Sequence, residues 1–391
     1  MRILFVTPFY APEWKFGGPP RKISSLAREL VRRGHEVRVV SFHSDRPNDR
    51  DKHTVDSIDV QYLPWFGVGL RQCPRTLRPL RDEIEAAAIV HCYGLYNLIC
   101  PMAALLALRS LKPFLIEPMG MYVPRVRRFF LKRLYNLIVT RWLFRKAAAV
   151  IATSELEAQE LRDASVPGKI LIRRNGVTLD DLRDSGSSLR LREEWHVSKD
   201  DKLIGYIGRI SKKKGLLELV AAFNSVRCPE TKLLIAGPVS EPGYFQQLQE
   251  TIRTSARRDD IIVRGLLVGD DYVAALKALD LFVLPSENEN FGNSAAEAVV
   301  AGIPVLLTRN CGVASIIDGR VGLAVEYGVD GLIEGLEIML KPETRQRWKS
   351  YWEEVKAELS WEEPVRQMEQ IYQRIVIESE KKRQSGAEVN S

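Results

Sequence analysis

Short, wholly apolar runs alternate with helix-period segments along almost the whole chain, and this alternation restricts the fold more than any other feature. Ile3–Val6 is a continuous apolar run, as a strand buried on both faces requires. Ile23, Leu26, Ala27, Leu30 and Val31 then recur at helical spacing between Pro19-Pro20 and Gly34. Val37–Val40, Ala88–Val90, Phe114–Ile116 and Ala149–Thr153 are further strand candidates. The last is followed by Ser154-x-x-Glu157, a capping-box start to a helix. Beyond the turn signal Asn175-Gly176 and a polar stretch at 180–201, the alternation resumes with Leu203–Ile207, Leu233–Ala236, Ile261–Val263, Leu281–Leu284, Val305–Leu307 and Leu323–Val325. Strands alternating with helices imply parallel sheets covered by helices.

With 391 residues the chain is too long for one ordinary core and suits two domains. We therefore expect an α/β protein with two doubly wound parallel-sheet domains, and read 180–201 as the linker between them. A terminal helix from Trp361 to about Val376 has apolar residues at Val365, Met368, Ile371, Tyr372 and Ile375. The polar tail 381–391 is expected to be disordered.

Several function classes are disfavoured. The apolar start Ile3–Val6 is cut short by Pro8, too soon for a signal peptide, which argues against secretion. No run approaches the length of a membrane-spanning helix. Cys73, Cys92, Cys100, Cys228 and Cys311 are odd in number and include no Cys-x-x-Cys pair, so they read as reduced cytosolic thiols. The histidines at 35, 43, 53, 91 and 196 show no metal-ligand spacing, and no metal is assigned. The net charge of +7 is compatible with nucleic acid, an anionic membrane or a phosphorylated substrate, so the location of the charge has to choose.

Residues 286–304 carry the first chemical signal. Glu289 and Glu297 flank a turn containing Gly292 that follows the apolar run Leu281–Leu284. The backbone N–H groups from Asn290 through Phe291, Gly292 and Asn293 to Ser294 lie near a helix start, where the dipole favours an anion or a hydroxyl-rich ligand. A carboxylate accepts hydrogen bonds from vicinal hydroxyls, so each Glu suits a sugar or a ribose. Singly, Glu297 also fits a solvent-facing role and Glu289 a helix cap; Phe291-Gly292 and Ala301-Gly302-Ile303-Pro304 weigh against that.

The second signal is Gly205-Tyr-Ile-Gly208-Arg209, followed by Lys212-Lys-Lys214-Gly215. Gly208 permits close backbone approach, and Arg209 with Lys214 can bracket two phosphates. Three adjacent lysines also fit a solvated surface run. A Walker motif is absent. Gly17-Gly18, before the first helix, allows backbone to approach a ligand or forms a plain turn. Arg125–Lys146 holds eight basic residues and no acid, interleaved with Phe129, Phe130, Leu134, Tyr135, Trp142 and Phe144. It fits either a helix lying on an anionic membrane surface or an ordinary domain helix with its charges turned outward. His91, read as ending the Ala88–Val90 strand, fits a cleft role or a local hydrogen bond.

Together these motifs resemble the retaining glycosyltransferases of family 4, whose GT-B fold sets two Rossmann-like domains facing across a cleft. The resemblance covers nearly the whole chain. It rests on Gly17-Gly18, Arg173-Arg-Asn175-Gly176-Val177, Gly208-Arg209 with Lys214-Gly215, Glu289-x7-Glu297 and the Trp361 terminal segment. It implies an acceptor-binding domain at 1–180, a donor-binding domain at 181–364 and a helix at 365–380 that returns to the first domain. It implies that Arg209 and Lys214 hold the nucleotide diphosphate, Glu289 the donor sugar and Glu297 the ribose. It further implies backbone contacts from Asn290, Phe291, Gly292 and Asn293, and a base-binding stretch Arg264-Gly265-Leu266.

The expected activity is retaining transfer of a hexose from a nucleotide diphosphate sugar to a glycan or lipid-linked glycan, with no cofactor or metal. The partners are then a sugar nucleotide and the acceptor, with no nucleic acid, and an anionic membrane surface if Arg125–Lys146 takes the first of its two readings. The expected location is cytoplasmic, at the inner membrane face where that helix touches it. One departure stands out: Met119, in Glu117-Pro118-Met119-Gly120, occupies a position where many members carry His, and Met cannot make the same hydrogen bonds. Glu117 and His91 are the candidates to replace it on the acceptor side. The departure keeps open a catalytically impaired sugar-nucleotide or glycan-binding protein of the same fold. A sugar-nucleotide epimerase fits the paired-Glu signature less well.

Overall fold

Each apolar run named above forms a strand. The computed structural model describes all residues except 14–17, 50–51, 68–71, 124–128, 179–186, 227–229, 342, 345–348 and 389–391. Two units share these strands: Met1–Arg174 with Trp361–Ser391, and Asn175–Ser360.

The first unit carries β1 (Arg2–Val6), β2 (Glu36–Ser41), β3 (Lys52–Val55), β4 (Ile58–Tyr62), β5 (Trp65–Phe66), β6 (Cys73–Pro74), β7 (Ile89–Tyr93), β8 (Phe114–Glu117), β9 (Ala149–Ala152) and β10 (Ile170–Ile172). Eight of them form one sheet in the order β10-β9-β8-β7-β1-β2-β4-β3, and β5 pairs with β6. All neighbours in the large sheet are parallel except β3 and β4. Along β1 the side chains alternate between two cores, which is why the run reads as unbroken apolar sequence. Ile3 and Phe5 join the cluster beneath the helices Gly18–Arg32 and Glu362–Glu388; Leu4 and Val6 join the cluster on the opposite face with Ile99 and Ala103.

The return helix Glu362–Glu388 buries Val365, Met368, Tyr372 and Ile375. At about 1.5–3 kcal/mol for a fully buried large apolar side chain, this stripe anchors the helix to the first unit. The helix is longer than the expected 365–380. Residues 381–388, expected within a disordered tail, are helical, as suits a run rich in Lys, Arg, Gln and Ala. At Ser154 the capping expectation holds: its hydroxyl accepts from Glu157 N at 3.1 Å, and the Glu157 carboxylate returns to Thr153 N at 2.8 Å.

The second unit carries β11 (Lys202–Ile207), β12 (Thr231–Ala236), β13 (Ile261–Arg264), β14 (Leu281–Leu284), β15 (Val305–Thr308) and β16 (Gly322–Val325). They form one parallel sheet in the order β13-β12-β11-β14-β15-β16. Residues 187–201, read from sequence as linker, belong to this unit. Ser187–Glu194 is helical, and Leu191, Trp195 and Val197 are buried in its core. The strand order reverses between β11 and β14. That is the switch point where loops diverge at the carboxyl ends of a doubly wound sheet and leave a crevice for ligands. No described helix is long and apolar enough to cross a membrane.

Candidate functional site

The loops that leave β11 and β14 meet at this switch point. The β11 loop runs through Gly208 and Arg209 into a short 3₁₀ turn, Lys212–Lys214, and then Gly215 opens the helix Leu216–Ser225. Gly215 adopts φ +65°, and a Cβ there would lie 2.1 Å from Pro285 O, so only glycine lets the two loops pack this closely. Glu287 N donates to Lys213 O at 2.9 Å and ties the loops together.

Glu289 is held in place by its own backbone. Its N–H donates to Asn310 O at 2.9 Å, and its carbonyl accepts from Gly312 N at 3.0 Å. The carboxylate Oε2 accepts a hydrogen bond from Lys214 Nζ, with Ser286 Oγ at 3.5 Å. Burial alone would raise the Glu289 carboxyl, but Lys214, Lys213 and Arg209 together hold it below the usual carboxylate range. Arg209 is exposed, while Lys214 is buried. The loops therefore present a paired cation and anion, Lys214 and Glu289, beside the exposed guanidinium of Arg209.

Gly292, at φ +99°, caps the helix Asn293–Val300 from the left-handed region, where a Cβ would lie 3.1 Å from Val313 Cγ1. Phe291 is buried and its carbonyl accepts from Val313 N at 2.7 Å. Asn293 Oδ1 accepts from Asn175 Nδ2 at 3.0 Å. Ser294 follows in the first helical turn, and Asn290 precedes it in the loop. Glu297, half-buried on this helix, accepts a hydrogen bond from the Tyr272 hydroxyl of helix Gly269–Lys277. Tyr272 went unnoticed in the sequence; it lies far from Glu297 along the chain, and no local pattern marks it. Arg264 ends β13 with its guanidinium 5.9 Å from the Trp195 ring centroid, and Gly265 and Leu266 follow it exposed to solvent.

In the second unit, then, Arg209, Lys214, Glu289 and the 290–294 turn gather at the switch point. Glu297 stands on the adjoining helix, and Arg264-Gly265-Leu266 lies at the carboxyl end of β13. Gly18 starts the first helix of the other unit. Gly17 lies outside the described residues, as do Arg125, Arg127 and Arg128.

His91 and Glu117 stand differently from expectation. β7 runs on to Tyr93, so His91 lies within the strand and not at its end, and both side chains have no exposed surface. Glu117 accepts from Lys22 Nζ and from Arg173 Nη2, with His91 Nε2 at 3.6 Å. His91 Nδ1 lies 2.7 Å from the Tyr372 hydroxyl and 3.1 Å from that of Tyr93. Burial drives the His91 imidazole down to about 3 and the Lys22 ammonium down to about 8. Burial would raise Glu117, but Arg173 and Lys22 outweigh it and bring the carboxyl to about 2. These groups form a sealed ionic knot in the first unit, so neither is presented to an acceptor. Met119 is half-buried against the same core at φ +55°, and the following Gly120 N donates to Glu157 Oε1 at 2.5 Å. Among the described residues no group of three or more His, Cys, Asp or Glu side chains could hold a metal ion.

Comparison with known proteins places this geometry among relatives. Residues 17–176 match the Glycosyl transferase 4-like domain and residues 188–355 match Glycosyl transferases group 1. The chain is 24% identical over 352 residues to a GDP-mannose-dependent alpha-mannosyltransferase of Corynebacterium glutamicum, covering 85% of this chain and 76% of that one. It is 27% identical over 318 residues to the GDP-mannose:cellobiosyl-diphosphopolyprenol alpha-mannosyltransferase of Xanthomonas oryzae pv. oryzae, covering 78% of each. The fold is similar to that of HepE from Anabaena in complex with UDP and glucose, with a TM-score of 0.77, 17% identity, and 96% and 100% of the two chains covered.

Proposed function

The chain belongs to the family 4 glycosyltransferases of GT-B fold, and from that premise we propose that it transfers a hexose from a nucleoside diphosphate sugar to a hydroxyl of a glycan or lipid-linked glycan. We assign it retention of the anomeric configuration and no need for a metal ion. The observation that carries the reading is the pairing of Lys214 with Glu289 at the switch point, beside an exposed Arg209.

The reaction breaks the bond between sugar C1 and the diphosphate oxygen while the sugar becomes cationic, so negative charge builds on the leaving diphosphate. Lys214 and Arg209 are the side chains placed to offset it, and the N-terminus of Asn293–Val300 adds its dipole. Before donor binds, Lys214 is neutralised by Glu289. Donor binding exchanges these partners: the ammonium turns to phosphate and the carboxylate to sugar hydroxyls. A leaving diphosphate oxygen then accepts the proton of the attacking hydroxyl on the same face of the sugar, which gives retention. Glu297, oriented by Tyr272, takes the ribose hydroxyls. Fixed cations in this role make a metal dispensable, and turnover should survive a chelator.

The two GDP-mannose-dependent relatives and the complex of HepE with UDP and glucose support a sugar nucleotide as donor. The Xanthomonas relative, named for a diphosphopolyprenol-linked acceptor, supports a lipid-linked one here. The free thiols of Cys73, Cys92, Cys100 and Cys311 suit a reducing, cytoplasmic compartment. A thermal-shift panel of nucleoside diphosphate sugars tests the donor assignment, because a bound donor stabilises the fold. A panel in which none stabilises wild type more than Lys214→Ala would refute it. Met119 favours a second reading, a sugar-nucleotide binder without turnover; nucleotide release measured with acceptor present separates the two.

A further inference from the structure

The helical segment Phe129–Lys146 displays an aliphatic row to solvent. It is built from α-helix Phe129–Tyr135, a π-helical turn Asn136–Thr140 and α-helix Arg141–Lys146. Its inner face is fixed to the first unit. Leu143 and Phe144 are buried, Tyr135, Val139 and Trp142 pack against the same core, and Tyr135 donates its hydroxyl to Asn97 O at 2.6 Å. Asn136 Nδ2 donates to Tyr122 O at 2.8 Å, and Thr140 Oγ1 donates to Asn136 Oδ1 at 3.0 Å. Of the aromatic residues singled out in the sequence, Tyr135, Trp142 and Phe144 thus serve packing.

The outer face is the unexplained part. Leu131, Leu134, Leu137 and Ile138 are 55%, 54%, 66% and 61% exposed, far beyond what single surface leucines need. Positions 131, 134 and 138 follow helical i, i+3, i+7 spacing, with 137 beside them, so the four form one stripe. Arg133, Arg145 and Lys146 are exposed on the same segment, and residues 129–146 contain five basic residues and no acid.

We propose that this stripe inserts into the headgroup region of an anionic bilayer, with Arg133, Arg145 and Lys146 held at the phosphate level. The composition chooses the occupant. Docking surfaces for proteins favour Tyr, Trp and Met at their centre, whereas aliphatic side chains on a segment that carries five cations and no acid match a lipid interface of negative charge. The stripe runs along a helix axis, so it enters the interface lying flat. The inference stands apart from the donor site, and none of its residues belongs to that site.

The test uses the full chain and co-sedimentation with vesicles of phosphatidylcholine, alone or mixed with phosphatidylglycerol. Wild type is expected to bind the mixed vesicles and to be released by salt. Leu134→Glu with Ile138→Glu should lower binding by at least roughly tenfold. Arg133→Gln with Arg145→Gln should lower it by roughly 25-fold, at about fivefold for each lost cation near the surface. Both double variants should keep the wild-type melting temperature and its shift with a nucleoside diphosphate sugar, so a failure here leaves the donor reading intact. Equal binding to neutral vesicles, no binding, or binding unchanged by the glutamates would overturn the proposal. So would sedimentation velocity showing a dimer that the glutamates abolish while vesicles bind nothing, since the stripe would then cover a second copy of the chain.

Discussion

The Tyr272 hydroxyl hydrogen-bonds to Oε2 of Glu297 and so couples helix Gly269–Lys277 to helix Asn293–Val300. The phenol holds the carboxylate, and in the proposed donor complex it would present Glu297 to the ribose already oriented. A hydrogen bond to a charged group contributes about 1.5–3 kcal/mol. Tyr272→Phe should therefore raise the donor KM by roughly tenfold and change kcat less, as removal of a binding contact shared by ground and transition states does. Initial-rate kinetics read the split. A fall in kcat at constant KM would place Tyr272 elsewhere in the cycle.

Lys214 and Glu289 should behave as one unit. Lys214→Ala removes the cation proposed to offset the developing charge and is expected to lower kcat by about 100-fold or more. It also leaves Glu289 without its closest countercharge, so part of the loss reflects a misdirected carboxylate. The double variant Lys214→Ala/Glu289→Gln should then lose less than the product of the two single losses. The neighbouring cations depress Glu289, so it stays ionised as pH falls below its ordinary 4.5. An acid limb in kcat/KM that begins above that value would assign the titration to another group.

The grouping of the candidate site residues was legible in the sequence because it is local. Glu289, the 290–294 turn and Glu297 lie on one strand–turn–helix unit, and Arg209 and Lys214 lie on another, so spacing along the chain reproduces spacing in space. The strands were legible for a related reason: burial on both faces writes itself as unbroken apolar runs. β3 and β4 escaped notice because Lys52–Val55, the edge strand, and Ile58–Tyr62 beside it mix polar with apolar residues. The knot of Lys22, His91, Glu117, Arg173 and Tyr372 was illegible because its members come from five separate elements. A buried ion pair leaves no periodicity: Arg173 reads as part of a turn motif, Tyr372 as an apolar helix position, and His91 and Glu117 as acceptor-side groups, a role that their burial does not suit.

Glu117 is the anion that two buried cations share. Glu117→Gln leaves Lys22 and Arg173 without it inside the first unit. Breaking a buried pair from one side costs about 3–5 kcal/mol, which should appear as a melting-temperature drop of several degrees or as failure to fold. Adding Lys22→Met removes one stranded charge and should recover part of the loss. Chemical denaturation of Glu117→Gln and of the double variant tests this, and a double variant less stable than the single one would contradict it.

His91 makes the first unit acid-sensitive in a window that opens at higher pH than that of Glu117. Its folded value is depressed from 6.5 to about 3, chiefly by burial, so between those values the unfolded chain binds a proton that the folded one refuses. Stability therefore falls as pH drops from 6.5 towards 3, by at most about 1.4 kcal/mol per pH unit. Glu117 is depressed from 4.5 to about 2, and its own loss begins only below 4.5. From pH 6.5 to 5 the His91 contribution thus stands apart from that of Glu117. His91→Gln keeps a hydrogen-bonding group facing Tyr372 but cannot titrate. Urea midpoints at pH 6.5 and 5 should shift less in His91→Gln than in wild type, by about 2 kcal/mol at full effect. Equal shifts in the two proteins would mean that His91 takes up its proton without leaving the folded core.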